Sequence, residues 1–380
     1  MRKLIFLAFF FIFFACNSDE KERVINENTP STAVKVPIKY AKGFTIEQFE
    51  NYKLVTLNNA WLGENKSYHY ILYSNKKPDG YPTAIFIKTP IKSIACMSLT
   101  HVAFIEKLAQ ENSLVALSGC NYVSTTNVQQ RIKNKQTTEI GQEQQINYER
   151  LVELNPDVIM GFGINASSTS SINKMKTLGL KVVLNAEYME NHPLGKAEWI
   201  KFIAAFYNEE TKATAIFDAI ENEYLELVKL TQQVKNKPTV FTGMPWNGYW
   251  HVPGAKSYQA QLFKDAGANY LWKDGNESEA SVLKSKEIII DEAFNTDFWI
   301  NLNSYKSIAE VVAFDKKFAT FKAVKDKNLF NNDKRLTPNL GNDYWESGVA
   351  NPQVVLADLI KIFHPELIEH EFYYYQKLAE

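Results

Sequence analysis

Two hydrophobic patterns divide the chain into an N-terminal region and a longer remainder. Between residues 43 and 88, short aromatic-rich stretches alternate apolar and polar positions, at 52–57, 68–73 and 83–87. Alternation with a period of two is typical of β-strands that have one buried face. The pattern therefore predicts an antiparallel addition to a sheet.

From residue 91 onward, apolar strands alternate with amphipathic helices. The first block of this kind predicts strands at 91–97, 114–118, 157–160 and 181–184, and helices at 100–110, 147–154 and 167–178. The second block predicts strands at 239–243 and 298–301, and helices at 258–266, 285–293 and 352–363. Strands that alternate with helices predict a parallel sheet with helices on its faces.

A long helical tract separates the two blocks. One helix is predicted at 197–207, and a second begins at the N-cap residue Asn208 and continues to about residue 234, before Pro238. At 1.5 Å per residue the second helix would be about 38 Å long, enough to run from one domain to another. A helix packed within one domain is the alternative.

These elements predict an α/β fold of two Rossmann-like lobes with central sheets, joined by a single long backbone helix. The N-terminal lobe is expected at 41–195, the connecting helices at 196–237 and the C-terminal lobe at 238–380. A single helical connection allows less movement between lobes than several flexible hinge strands would.

The N-terminus has the form of a bacterial lipoprotein signal. Arg2 and Lys3 precede an apolar stretch at 4–14, which is too short to span a bilayer, and Ala15 stands directly before Cys16. We expect cleavage before Cys16 and lipidation of its thiol, with an ordinary secretory signal as the alternative. Residues 17–40 are polar and predict a tether.

Composition narrows the class of partner. The net charge is −1, so there is no electrostatic reason to expect a nucleic acid partner. Only Cys96 and Cys120 follow Cys16, and no zinc-type spacing of Cys and His is present in the sequence. Each of the two follows a strand of one predicted sheet, so they predict either a disulfide or two buried free thiols.

One short motif has the form of a dinucleotide site. Gly161, Gly163 and Ala166 fit the pattern G-x-G-x-x-A between a strand and a helix, and Glu187 ends the next strand. A cofactor-using enzyme is therefore one hypothesis. The motif alone is weak, and an exported protein would meet little nicotinamide cofactor.

Aromatic residues in two predicted loops favour ligand binding. Rings next to Gly and Pro in loops have no helix or strand core to fill, and they suit a flat, partly apolar ligand. Arg335 could pair with an anionic chelate, and His101 follows the first strand of the parallel sheet. The candidate ligand-binding residues are His101, Tyr122, Phe162, Trp246, Tyr249, Trp250, Arg335, Tyr344 and Trp345.

Two segments resemble a known family. Residues 148–163, with Leu154-Asn155-Pro156-Asp157 at their centre, resemble the hallmark segment of the cobalamin and ferric-siderophore binding proteins of ABC importers. Residues 252–272, where a glycine loop leads into a helix, are similar to the second-lobe segment of that family. The resemblance covers residues 91–363, and the aromatic stretch before it departs from the smaller members.

The resemblance implies a helical-backbone (class III) binding protein that holds its ligand between two lobes, without catalysis. It also implies that one glutamate on each lobe docks onto arginines of the permease, and Glu149 and Glu287 match those positions. The spacing from Glu287 to the next strand is about two residues longer than the family pattern. Both glutamates could instead be ordinary acidic residues of a helix N-terminus.

Taken with the resemblance, the sequence predicts an exported, periplasmic lipoprotein that delivers an iron complex, a ferric siderophore or haem, to an ABC permease and ATPase. Cobalamin is the competing ligand, and direct binding of a metal ion by His101 and His251 is a third hypothesis. We expect a monomer that contains no cofactor.

Overall fold

The N-terminal region forms a sheet of its own. The computed structural model describes residues 33–142, 145–163, 166–274 and 278–380, and for 166–168 the backbone only, so Cys16 lies outside the described residues. The strands are β1 (Val34–Lys35), β2 (Phe44–Gln48), β3 (Tyr52–Asn58), β4 (Ser67–Tyr73) and β5 (Ile85–Lys88), paired in that order. The predicted strands β3 and β4 pair antiparallel as expected. The prediction is wrong in two respects: β5 runs parallel to β4, and the strands form a separate sheet instead of adding to another one.

The first lobe contains a five-stranded parallel sheet in the order β10-β9-β6-β7-β8. Its strands are β6 (Ile94–Cys96), β7 (Leu114–Leu117), β8 (Thr138–Glu139), β9 (Val158–Gly161) and β10 (Val182–Leu184). Its helices are α1 (Leu99–Lys107), α2 (Thr126–Lys133), α3 (Tyr148–Leu154) and α4 (Ala166–Thr177). The predicted α/β order of this lobe is confirmed.

Two helices follow, α5 (Pro193–Tyr207) and α6 (Glu210–Gln232). The 23 residues of α6 give a length of about 35 Å. Lys212, near its start, donates a hydrogen bond to the carbonyl of Leu108 in the first lobe, at 2.5 Å. Thr231, near its end, donates to the carbonyl of Asp265 in the second lobe, at 2.6 Å. The helix therefore connects the lobes, as predicted.

The second lobe has a sheet in the order β13-β11-β15-β16-β17, parallel except at β17, and a two-stranded antiparallel sheet of β12 and β14. Its elements in chain order are β11 (Thr239–Thr242), β12 (Tyr249–Val252), α7 (Tyr258–Asp265), β13 (Asn269–Tyr270), β14 (Val282–Ser285), α8 (Lys286–Glu292), β15 (Phe298–Ile300), α9 (Ile308–Phe314), α10 (Lys322–Lys325), β16 (Leu329–Asn331), α11 (Asp343–Ser347), α12 (Pro352–Phe363) and β17 (Gln376–Lys377).

A segment just before β2 is bound to the connecting helices. The carboxylate of Glu198, fully buried on α5, accepts hydrogen bonds from the backbone amides of Lys39, Tyr40 and Ala41 at 2.7–3.0 Å. Lys201 donates to Glu198 at 2.8 Å, so the buried charge is paired. Together with β1, these contacts make residues 34–41 part of the folded region, although the sequence pattern assigned most of them to the tether.

The two cysteines of the first lobe do not form a disulfide bond. Cys96 and Cys120 are both buried free thiols, which agrees with the second of the two sequence interpretations. Among the described residues, no helix is long and apolar enough to cross a membrane.

The Glu198 contacts lead to a stability prediction. Glu198→Ala should lower the free energy of unfolding by about 3 kcal/mol, because it leaves Lys201 buried without its partner and three amides without an acceptor. Urea denaturation measures this difference. The control Glu226→Ala, which breaks the exposed Glu226–Lys229 pair at 2.6 Å, should change it by less than about 0.5 kcal/mol. Equal stability of Glu198→Ala and the parent chain would contradict the role given to residues 39–41.

Candidate ligand-binding cleft

The carboxyl-end loops of the two parallel sheets meet at one point between the lobes. A Cβ placed on Gly341, in the loop after β16, would lie 1.9 Å from the carbonyl oxygen of Tyr122, in the loop after β7. Because carboxyl ends of parallel strands share one edge of a sheet, this contact brings a loop from that edge of one sheet against a loop from that edge of the other. The region between these edges is the candidate cleft.

Four predicted aromatic residues are exposed in these loops, and we call them the rim aromatics. Tyr122 (44% exposed) follows β7 in the first lobe, and Trp246 (69%) follows β11 in the second. Tyr249 (56%) begins β12, and Trp345 (60%) lies on α11. Large aromatic side chains that are this exposed, on both lobes, are candidates for contact with a ligand or a partner.

A tight hairpin presents two of the rim aromatics. Trp246 and Tyr249 exchange backbone hydrogen bonds at 2.7 and 3.0 Å, and the two residues between them, Asn247 and Gly248, have φ of 50° and 81°. Positive φ at both central positions defines a type I′ turn, for which Asn-Gly is the favoured sequence. The turn holds both rings at the exposed tip.

Trp250 is a core residue. Successive strand residues point to opposite faces, so Trp250 points inward when Tyr249 points outward. It is fully buried, and its indole nitrogen donates to the carbonyl of Thr242 at 2.9 Å. Its ring packs edge-on against Phe318. The sequence placed it among the ligand-binding candidates, but in this structure it stabilises the second lobe.

Tyr344 and Arg335 support the rim. Tyr344 is buried, its hydroxyl lies 3.1 Å from that of Tyr258, and its ring packs edge-on against Trp345. Arg335 donates from Nε to the Asp343 carboxylate at 2.6 Å and its guanidinium lies over the ring of Tyr373. Its side chain is 46% exposed, so its remaining donors can still reach a ligand.

His101 and Phe162 lie deeper in the first lobe. Phe162, after β9, is half-buried, and its ring packs edge-on against the imidazole of His101. His101 is fully buried, and neither ring nitrogen meets hydrogen-bond geometry with any described residue. Burial lowers the pKa of His101 to about 4, so the imidazole is neutral at pH 7.

The two histidines proposed as metal ligands differ in environment. His101 is enclosed in the first lobe, whereas His251 is exposed on β12 of the second lobe. Among the described residues, no group of three or more His, Cys, Asp or Glu side chains is arranged to hold a metal ion.

The residues of the dinucleotide-like motif are used in packing. A Cβ on Gly163 would lie 2.7 Å from the ring of Trp61, and Tyr188 donates to the carbonyl of Gly163 at 2.8 Å. Glu187, the acid that would hold a ribose, is buried and accepts a hydrogen bond from Thr100 at 2.7 Å. The glycine therefore accommodates Trp61. No local sequence pattern indicates this contact, because Trp61 lies about one hundred residues earlier, between β3 and β4.

Glu149 and Glu287 occupy matching positions on the two lobes. Each is exposed and is the second residue of its helix, α3 or α8, two residues after the N-cap Asn147 or Ser285. Hydrogen bonds from its own backbone amide and from the side chain of Ser285 hold the pKa of Glu287 below its usual value.

The strands that follow these two helices begin with similar contacts in the two lobes. Asp157, just before β9, accepts from the amides of Lys92 and Ser93 near the start of β6. Asp297, just before β15, accepts from the amide of Thr239 at the start of β11. In each lobe, the helix is therefore followed by an aspartate that accepts a hydrogen bond from a backbone amide at or near the start of a neighbouring strand. The extra residues between α8 and β15 do not change this order of helix, aspartate and strand.

The buried imidazole of His101 leads to a pH prediction. Its pKa is about 6.5 in the unfolded chain and about 4 in the folded one, so the stability it contributes is complete above pH 6.5 and is lost as the pH falls toward 4. Between pH 7 and pH 5 this loss should be about 2 kcal/mol.

Chemical denaturation of the parent chain and of His101→Leu at both pH values measures the effect, which should be smaller in the variant. The control His251→Leu alters an exposed histidine and should keep the parental pH dependence. An unchanged pH dependence in His101→Leu would contradict the buried, neutral state of His101.

Comparison with known proteins gives a family and a fold. The family described as "Periplasmic binding protein" matches residues 94–336. The chain is 26% identical to an "uncharacterized lipoprotein" of Methanocaldococcus jannaschii, over 92% of this chain and 89% of that protein.

Two solved structures share the fold. A periplasmic heme binding protein from Pseudomonas aeruginosa has a TM-score of 0.57 at 15% identity, covering 76% of this chain and 99% of its own. A periplasmic vitamin B12 binding protein of Vibrio cholerae has a TM-score of 0.51 at 11% identity, covering 72% and 96%. The family match spans more than half of the chain, and the chain therefore belongs to the periplasmic binding protein family.

Proposed function

We propose that this chain is the solute-binding component of an ABC importer and that it captures a small iron complex, a ferric siderophore or haem, between its lobes. The observation that supports the proposal is the set of exposed rim aromatics, Tyr122 on one lobe and Trp246, Tyr249 and Trp345 on the other. Aromatic faces bind flat, partly apolar molecules without needing a charge.

The charge near the rim favours a ligand with little negative charge. Arg335 is already paired with Asp343, so its attraction for an anion is reduced. A strongly anionic catecholate complex is therefore a poorer fit than haem or a hydroxamate complex. Cobalamin is the alternative ligand, since a corrin has a similar face, and the same fold occurs in a vitamin B12 binding protein.

The proposal also covers the membrane anchor of the protein and its recognition by the permease. Cys16 is the proposed site of lipidation, in keeping with a relative that is named a lipoprotein. Glu149 and Glu287 are the proposed contacts with the permease, because they are exposed at matching helix positions on the two lobes. Arginine binds such carboxylates through paired hydrogen bonds.

Tryptophan fluorescence of the chain lacking residues 1–16, titrated in parallel with haemin, ferric hydroxamate, ferric catecholate and cobalamin, tests the function. We expect saturable quenching by one of the iron complexes at submicromolar concentration. Saturation by cobalamin alone would favour the alternative ligand. Flat traces with all four probes would contradict capture of this ligand class.

Removing a rim aromatic should weaken binding. Trp246→Ala and Trp345→Ala should each raise the Kd about tenfold, because each removes stacking area worth more than 1 kcal/mol. The absorbance of the bound iron complex reports affinity independently of the lost tryptophan. The control Phe294→Ala removes an aromatic that is 41% exposed at the opposite end of β15 and should leave Kd unchanged. Parental affinity in both tryptophan variants would refute the rim as the binding surface.

Reversing the docking charges should separate binding from transport. The double variant Glu149→Arg with Glu287→Arg should abolish uptake in cells that express the importer, while the Kd for the ligand stays the same. A matched control with Glu50→Arg and Glu223→Arg reverses two exposed glutamates elsewhere and should keep uptake. Normal uptake in the first double variant would contradict the docking assignment.

A further inference from the structure

A buried glutamate joins the two lobes directly. Glu346, on α11 of the second lobe, is fully buried. Its carboxylate accepts hydrogen bonds from the amide of Ser124 at 2.5 Å, the amide of Thr125 at 2.9 Å and the hydroxyl of Thr125 at 2.6 Å, all in the first lobe. Hydrogen bonds to a charged acceptor are the stronger kind, and a buried carboxylate that loses them is left at a high cost.

The carboxylate lies at the start of helix α2. Thr125 is the N-cap residue of α2, and its side chain makes no capping hydrogen bond within the helix. Its hydroxyl donates to the carboxylate of Glu346. A negative charge at a helix N-terminus is favourable. Glu346 therefore stabilises a helix of the opposite lobe.

The backbone next to this contact fits closely. Gly341 lies against the carbonyl of Tyr122, where any side chain would overlap it. The amide of Gly341 donates to the hydroxyl of Thr337 at 2.9 Å, which holds the loop in place. The lobes thus meet through both a charged hydrogen-bonded group and a contact that only glycine allows. We call these two contacts the latch.

We infer that Glu346 is a positioning residue that fixes the spacing between the rim aromatics before any ligand arrives. Trp345 directly precedes Glu346, and Tyr122 is two residues before Ser124, so the latch sets the separation of one ring on each lobe. A binding surface held in its bound geometry avoids the free-energy cost of ordering it on binding. Opening the lobes would break the three hydrogen bonds to the carboxylate and separate its charge from the start of α2, so the latch favours the closed spacing.

The inference rests on the proposed function only in treating the gap between the lobes as a ligand cleft. The distance between the lobes can be measured without ligand. A negative ligand titration therefore tests the proposed function, and an unchanged distance in the Glu346 variants tests the role of Glu346. Spin labels on Lys133→Cys of the first lobe and Lys316→Cys of the second, both exposed, report the spacing by pulsed electron paramagnetic resonance. Cys96 and Cys120 are buried, which disfavours their labelling.

We expect a narrow distance distribution in the labelled parent chain and a broader one with a longer mean distance in Glu346→Ala. Glu346→Gln keeps an acceptor oxygen and should give an intermediate width, and Thr125→Val, which removes one of the three hydrogen bonds, should broaden the distribution less than Glu346→Ala. The control Asp157→Asn alters a carboxylate that accepts two amides within a single lobe and should leave the distribution narrow.

Hydrogen exchange of the Ser124 and Thr125 amides provides the second readout. Their exchange should be at least tenfold faster in Glu346→Ala than in the parent chain, while amides of the β6 and β9 core exchange at parental rates. A narrow, unshifted distance distribution in Glu346→Ala, or unchanged exchange at these two amides, would overturn the inference. If Glu346→Ala does not fold, the same comparison made with Glu346→Gln and Thr125→Val decides it.

Discussion

Helix α6 sets the constraint on which the rest of the molecule depends. It is bonded at its start to the first lobe through Lys212 and at its end to the second through Thr231. Tyr224, between these points, donates to the carboxylate of Asp265 at 2.7 Å. Two lobes joined by one such helix can move less than lobes joined by flexible strands, which leaves the contacts between their carboxyl-end loops to set the remaining spacing.

That constraint determines where binding chemistry can lie. The first lobe contributes one rim aromatic and the second contributes three, and the contacts at Gly341 and Glu346 join the lobes close in sequence to Tyr122 and Trp345. The N-terminal segment adds a further restraint, because Glu198 on α5 binds residues 39–41. Glu149 and Glu287 are exposed at matching helix positions on the two lobes.

Much of the fold can be predicted from the sequence, because the patterns that mark helices and strands involve residues close together in the chain. The bounds of α12 are those predicted, since Pro352 can occupy only the first turn of a helix and the apolar period continues to Phe363. The length of α6 also follows from its periodicity. By contrast, β12 was predicted as a loop, because four residues beside an Asn-Gly turn give too short a pattern to separate a strand from a loop.

The site was less accessible to prediction, because its contacts join residues far apart in the sequence. Aromatic richness identified the loop at 243–250 but could not separate the exposed Trp246 and Tyr249 from the buried Trp250. That difference depends on the register of β12 against β14. Glu346 and Thr125 are more than two hundred residues apart, and Trp61 meets Gly163 through a sheet outside the family match. No local pattern reports such pairs.

Hydrogen–deuterium exchange, measured with and without the iron complex that saturates the chain, tests the central claim most directly. The account predicts that protection on binding is confined to loops at the carboxyl ends of both sheets, around residues 118–125 and 161–163 in the first lobe and 243–249 and 335–346 in the second. Protection in one lobe alone, or at surfaces away from these loops, would contradict binding between the lobes.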